Sequence, residues 1–264
     1  MRAGPTSWIR SILVMMGWLV VWELTVRLAK IPAYTLPAPS VVLQTLLLNA
    51  DSLAGSWWFT LKITFGALLL ACAGGVAMAG LFALYAPIEA AFLPLAVVLQ
   101  VTPVVAIAPL MLIYIDSTTA ALLLCAWIVA FFPILSNTLV GLRSADANLH
   151  DLFRLYRASP WQRLRWLLAP SALPYFVSGV KVSAGLSLIG AVTAEMVAGA
   201  AGRETGLASR ILEASFRTET PKMFAALTLL VITGLLMFWG SGMLSDRLLS
   251  PWRGRDTNVE DVQQ

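Results

Sequence analysis

DLFRLYRASPWQRLRWLLAPSALP, residues 151–174, is the only long basic and amphipathic stretch set between strongly apolar ones. It carries Arg154, Arg157, Arg163 and Arg165 against one acid, Asp151, and the chain's only histidine, His150, stands directly before it. Leu152, Leu155 and Tyr156, then Leu164, Leu167 and Leu168, recur at helical spacing, while the arginines fall elsewhere. Ser159-Pro160 divides the two runs. Serine is a good N-cap, and proline is tolerated at the first helical position, where its missing N–H would have no partner. The stretch therefore reads as helix, turn, helix, ended by Pro170. Its basic and aromatic residues suit either an anionic lipid surface or a groove on another protein.

Everything around it reads as membrane. The chain is 59% hydrophobic and 12% charged, against about 45–50% and about 25% in soluble domains. Mean hydropathy is +0.80. The net charge of +4 fits basic loops that set orientation in a bilayer better than it fits nucleic-acid binding. Cys72 and Cys125 lie inside apolar runs, as packed thiols do, and imply neither a disulfide nor a metal framework.

Charge-free runs mark the spans. Lys62 to Glu89, Glu89 to Asp116 and Asp116 to Arg143 each enclose 26 uncharged residues, where a helix needs about 20 to cross a bilayer. Lys222 to Asp246 encloses another 23. Arg2 and Arg10 precede a further apolar run, and no small-x-small cleavage site follows it, so an uncleaved first helix is expected over about Trp8–Ala29. A fifth span is expected over about Tyr175–Gly199, with Lys181 a turn or so inside and able to snorkel to the surface. The count is about six spans in an all-α membrane protein. Both termini then share a side with the 151–174 segment, and its arginines make that side the cytoplasm.

Several local features qualify this plan. Glu23 and Arg27, spaced i,i+4, should pair on one helical face. Pro32, Pro37 and Pro39 keep the next stretch extended, and Ser40 is expected to cap a short helix, Val41–Leu48. Asp51 to Trp58 should lie at the interface, as Trp57 and Trp58 suit a headgroup belt. Ala71, Gly75 and Ala79 allow close helix contact, and Ser183, Ser187 and Ala191 form a second small-residue stripe. Pro94, Pro103 and Pro109 interrupt the third span, making Val101–Ala108 either a pathway element or a packed kink. Thr102, Pro103 and Ser183 are candidates for the solute pathway. So is Glu195, because an acid within a span is functional by default, although its place near the outer end favours a structural hydrogen bond. Gly206–Phe216 reads as a surface helix in an outer loop, and Arg247–Gln264 as a polar tail. The segments are thus 1–30, a first span; 31–58, an outer and interfacial piece; 59–247, the remaining spans with the basic 151–170 segment among them; and 248–264, a cytoplasmic tail.

The order of residues in the central stretch is more specific than its composition. It resembles the cytoplasmic signature of binding-protein-dependent ABC transporter permeases: Glu-Ala-Ala, three residues, Gly, nine residues, then a hydrophobic residue with Leu-Pro two further on. Asp151, Leu152 and Phe153 take the Glu-Ala-Ala places. Arg157 stands where the Gly belongs, Ala158, Ser159, Trp161 and Gln162 match the usual continuation, and Ala169-Pro170 replaces Leu-Pro. WELTVR (22–27), LPAPS (36–40), Phe132–Thr138 and Ala194–Val197 look like corresponding stretches of the nitrate, sulfonate and taurine type permeases. The departures make the first helix bulkier and more cationic, and Arg157 cannot open the turn as cheaply as glycine.

The resemblance implies a type I ABC importer-like permease subunit of the bacterial inner membrane. Its implied partners are a second copy of the chain, two ABC ATPase subunits inside and a periplasmic binding protein outside, with membrane lipid around it and no nucleic acid. ATP and Mg would be bound by the ATPase, since this chain has no Gly-x4-Gly-Lys-Ser/Thr loop. The chain itself is expected to be no enzyme and to hold no cofactor, metal or catalytic residue. Its ATPase contact would comprise Asp151, Arg154, Leu155, Tyr156, Arg157, Ser159, Trp161 and Arg163. An ion-coupled secondary transporter is the rival reading, but Lys181 and Glu195 are the only intramembrane charges it could use. An intramembrane hydrolase lacks its motifs here.

Overall fold

The fold is that of a computed structural model, which describes residues 5–199 and 205–253. The described residues form eleven α-helices and one π-helical turn, with no strand among them. In order these are α1 (Pro5–Leu28), α2 (Pro39–Leu48), α3 (Ala50–Leu84), α4 (Ala86–Val101), α5 (Val104–Tyr114), α6 (Thr118–Arg143), α7 (Ala147–Leu155) and α8 (Pro160–Arg163). The π turn (Leu164–Leu168), α9 (Ala169–Ala198), α10 (Leu207–Phe216) and α11 (Thr220–Arg253) follow. Four stretches are long and apolar enough to cross a membrane: α3, α6, the run Pro160–Ala198, and Thr220–Ser250 of α11. A fifth is the pair α4–α5, bent by 102°. That makes four spans, or five if the bent pair is one, against about six expected, with the 24-residue α1 besides. Arg203, Glu204 and the tail beyond 253 lie outside the described residues.

Two compact units emerge. The first holds α1, α2, the start of α3 to Phe59, α10, and α11 to Val231. Here the Glu23–Arg27 pair forms as expected, but it does more than neutralise itself. Ser40 does not cap α2; Ala38 is the N-cap, with Pro39 at the first helical position. Glu23 supplies the missing acceptor, taking the backbone N–H of Ser40 at 3.0 Å and its hydroxyl at 2.7 Å. A carboxylate at a helix N-terminus satisfies an orphan donor and faces the positive end of the helix dipole. Arg210 donates to Ser56 and Glu213 at 3.1 and 3.0 Å. The expected interfacial piece, Asp51–Trp58, is the opening of α3.

The second unit runs from Thr60 to Ala198 and from Ile232 onward. Its core joins α3, α6, the π turn and α9 through Ala71, Phe82, Ile134, Leu135, Leu168 and Ala172, all buried. Small residues bring these helices together, as their spacing predicts. A Cβ on Gly75 would lie 2.7 Å from Ile134, and one on Gly141 would lie 2.7 Å from Tyr175 and 2.8 Å from the Ala172 backbone. Ala71, Ala79, Ser183, Ser187 and Ala191 have no exposed surface.

One expectation about prolines is corrected. Pro170 does not end a helix: the chain stays helical from Pro160 to Ala198. The π turn just before it explains this, because Ala169 N–H reaches back to Leu164 O, and widening the helix by one residue per turn relieves the clash a proline ring makes with the preceding turn. For the same reason Lys181 is not near the start of a span but well inside one. In the third apolar run, where a pathway element and a packed kink were both open, α4 and α5 meet in a 102° bend at Thr102 and Pro103, the geometry of a broken span or a re-entrant loop. Pro103 drives Thr102 out of the helical region (ψ 124), and both the backbone N–H and the hydroxyl of Thr102 donate to the Val98 carbonyl, at 3.1 and 2.7 Å.

Candidate functional site

The segment between α6 and α9 is built to protrude without being loose. Asp146 caps α7, its carboxylate accepting from Asn148 N–H at 2.7 Å. At the other end, Ala158 N–H reaches Phe153 O at 3.0 Å and Arg157 N–H reaches Arg154 O at 2.9 Å. That pair of bonds is a Schellman motif, which requires a left-handed residue just past the helix. Arg157 is that residue, with φ +50. It occupies the place where the resemblance puts a glycine, and the turn opens nonetheless.

The second arm begins with a reciprocal cap. Ser159 N–H donates to Gln162 Oε1 at 2.7 Å, and Gln162 N–H donates to Ser159 Oγ at 3.2 Å, the capping box, with Pro160 at the first helical position. Phe153, Leu164, Leu167 and Leu168 seat both arms on the second unit's core.

What this frame leaves in solvent is unusual. Leu155 and Tyr156 are each 81% exposed, Trp161 is 65% exposed, and Leu152 lies beside them at 45%. Asp151, Arg154, Arg157 and Ser159 are exposed on the same knee. Large apolar and aromatic side chains rimmed by charge are the composition of an interface centre, and burying each one on a partner is worth about 1.5–3 kcal/mol. Arg163 differs from the others. It is half-buried, its Nη2 lies 3.3 Å from His150 Nδ1, and its Nε has no hydrogen-bond partner among the described residues. It ties α8 back to α7, a contact that His150 alone did not suggest in the sequence. On the core side, Arg143 at the end of α6 pairs with Glu89 at the start of α4.

The pathway candidates divide into two groups. Thr102 and Pro103 form the α4–α5 break, with Pro103 exposed. Ser183 is buried and donates to Ala130 O at 2.7 Å, and Glu195 is buried and accepts from Thr60 at 2.8 Å. Among the described residues no cluster of three or more potential metal ligands occurs.

The described residues make an all-helical, multi-pass membrane protein with an exposed helical knee between α6 and α9. The chain is a member of the family of binding-protein-dependent transport system inner membrane components, whose model matches residues 71–250. It is 31% identical to a probable ABC transporter permease protein of Haemophilus influenzae, over 91% of this chain and 97% of that one. It is 34% identical to the riboflavin transport system permease protein RibX of Chloroflexus aurantiacus, over 89% and 86%. Among solved structures, an inward-facing MetNI methionine ABC transporter matches with a TM-score of 0.63 at 18% identity, over 74% of this chain and 95% of that one. The chain is therefore the permease subunit of an importer of small solutes, and the ion-coupled alternative is not favoured.

Proposed function

We propose that the knee from Ala147 to Arg163 is the surface on which a separate ATPase subunit docks, and through which ATP binding and hydrolysis move the spans. The observation that carries this is the exposure of Leu155 and Tyr156 on a segment capped at both ends. Asp151, Arg154 and Arg157 supply polar docking, Leu155, Tyr156 and Trp161 the apolar anchors, and Ser159 and Arg163 hold the knee's shape. ATP and Mg belong to the ATPase. The knee and both termini face the cytoplasm, the chain works as a pair with two ATPase subunits, and a periplasmic binding protein delivers the solute from outside.

Alternating access then follows mechanically. Closure of the ATPase pair displaces the knee, the π turn passes the displacement into α9, and the small-residue contacts carry it to α6 and α3. Thr102 and Pro103, at a ready-made break, act as the gate on the solute's path. Ser183 and Glu195 keep α9 in register with its neighbours so that it moves as one piece.

Co-purification tests the docking. A chain carrying both Leu155→Glu and Tyr156→Glu should insert into the membrane in normal amount yet lose its ATPase partner. Full retention of the partner by that variant would remove the proposal.

A further inference from the structure

Lys181 stands where a lysine is costly. Its depth follows from how α9 runs antiparallel to α6. Gly141 meets Ala172 and Tyr175, Gly179 meets Pro133 and Asn137, and Gly190 meets Ala126, while Ser183 donates to Ala130 O. The uncharged run of α6 between Asp116 and Arg143 holds 26 residues, and Ala130 is at its middle. Lys181 is two residues from Ser183, about 3 Å along the helix axis from mid-span. The nearer edge of the hydrocarbon is then about 12 Å away, farther than the lysine's four-carbon stem can carry its ammonium.

The side chain is exposed on the single chain, and it has no hydrogen bond or ion pair among the described residues. Among the described residues, its own unit offers no acid to neutralise it. Glu89 is held by Arg143, Glu195 is buried against Thr60, and Asp246 is engaged elsewhere. Asp116 precedes α6 at its far end, and Asp146 and Asp151 belong to the knee. Lipid is a poor solvent for an ammonium at this depth, so a lysine here faces water or a charge partner. The same face of α9 also carries exposed Ser178 one turn back and, one turn on, Gly185, around which no atom lies within 4 Å of an added Cβ. The helix surface on both sides of Lys181 is therefore open, while the opposite face is closed on α6.

We infer that Lys181 lines the solute pathway near mid-membrane and binds an anionic group of the solute: a carboxylate, phosphate or sulfonate. An ammonium with three donors suits any of these oxyanions. This rests on the permease reading and narrows it to a solute class.

A local probe tests the inference without knowing the solute. Ser178→Cys is introduced into the full chain in nanodiscs, and its reaction with a sulfonate-bearing methanethiosulfonate is compared with that of a trimethylammonium-bearing one. The unsubstituted chain, with Cys72 and Cys125, gives the background. Lys181 should favour the anionic reagent about tenfold, as expected for a unit charge several Å away in partly watery surroundings. Lys181→Gln should abolish the preference and Lys181→Arg should keep it. If neither reagent reaches the thiol, or if the ratio is the same in Lys181→Gln, the inference is overturned. ATP-driven uptake by the unsubstituted transporter is measured separately: uptake without the anion preference sinks the inference and leaves the permease reading standing, and the preference without uptake does the reverse.

Discussion

Arg157 holds a left-handed conformation that costs an ordinary L-residue about 1–2 kcal/mol, and it holds it at the tip of the exposed knee. Lys30 and Thr218 do the same after α1 and α10, each inside its own Schellman pair of hydrogen bonds: Ile31 to Val26 and Lys30 to Arg27, Glu219 to Ala214 and Thr218 to Ser215. In each case two carbonyls that would otherwise be orphaned are satisfied, which offsets the strain. For Lys30 and Arg157 the cation also sits at the negative end of a helix dipole. Arg157→Gly should therefore raise the thermal stability of the purified chain by about 0.5–1 kcal/mol, net of glycine's greater freedom when unfolded. Arg157→Val should lower it by at least as much. A glycine variant less stable than the parent would contradict the strained-turn account. At this scale the sequence was partly legible. Aligning Arg157 with a glycine marked the turn, whereas nothing in LAKIP or SFRTE shows that Lys30 or Thr218 turns left, because that choice depends on which carbonyls are left over. Glu23 and Arg27 were legible as a pair, but their hold on Ser40 joins residues too far apart in the chain for spacing to reveal.

Elements were easier to find than to shape. Uncharged runs of at least 23 residues located four of the expected spans, since lipid excludes charge regardless of how helices pack. Bends were a different matter. Pro94, Pro109, Pro133 and Pro174 all lie inside helices, whereas Pro103 sits at a break. Each proline removes one hydrogen bond, and whether the helix then bends, widens or breaks depends on neighbours the sequence does not place next to it. The π turn that lets α9 run through Pro170 is such a response. Glycine packing is the sharper element-scale test. Gly141→Ala puts a methyl against backbone atoms of α9 and should cost about 1–3 kcal/mol, the usual penalty for overpacking. Gly240→Ala meets nothing within 4 Å and should be neutral or stabilising by about 0.5–1 kcal/mol through helix propensity. Thermal unfolding of the two variants in detergent compares them, and equal effects would refute the close α6–α9 contact.

For the whole molecule, the account needs the knee on the cytoplasmic face and an engine outside the chain. Ser159→Cys, exposed at the turn, should react with a membrane-impermeant maleimide in inside-out vesicles and stay unreacted in right-side-out ones. The reverse pattern would place the knee outside. Sequence order alone made the knee recognisable, but its helical frame, the inward turn of Arg163 to His150 and the mid-span depth of Lys181 required coordinates, because each depends on how one helix meets another. The most direct test of the central claim is the coupling ratio of the reconstituted transporter, solute taken up per ATP hydrolysed, in the parent and in Asp151→Lys. Reversing that exposed charge on α7 should leave the chain in the membrane and let the ATPase turn over, while uptake per ATP falls by about tenfold or more, as loss of a docking charge pair worth more than about 1.4 kcal/mol entails. An unchanged ratio in Asp151→Lys would contradict the claim that this knee carries the stroke.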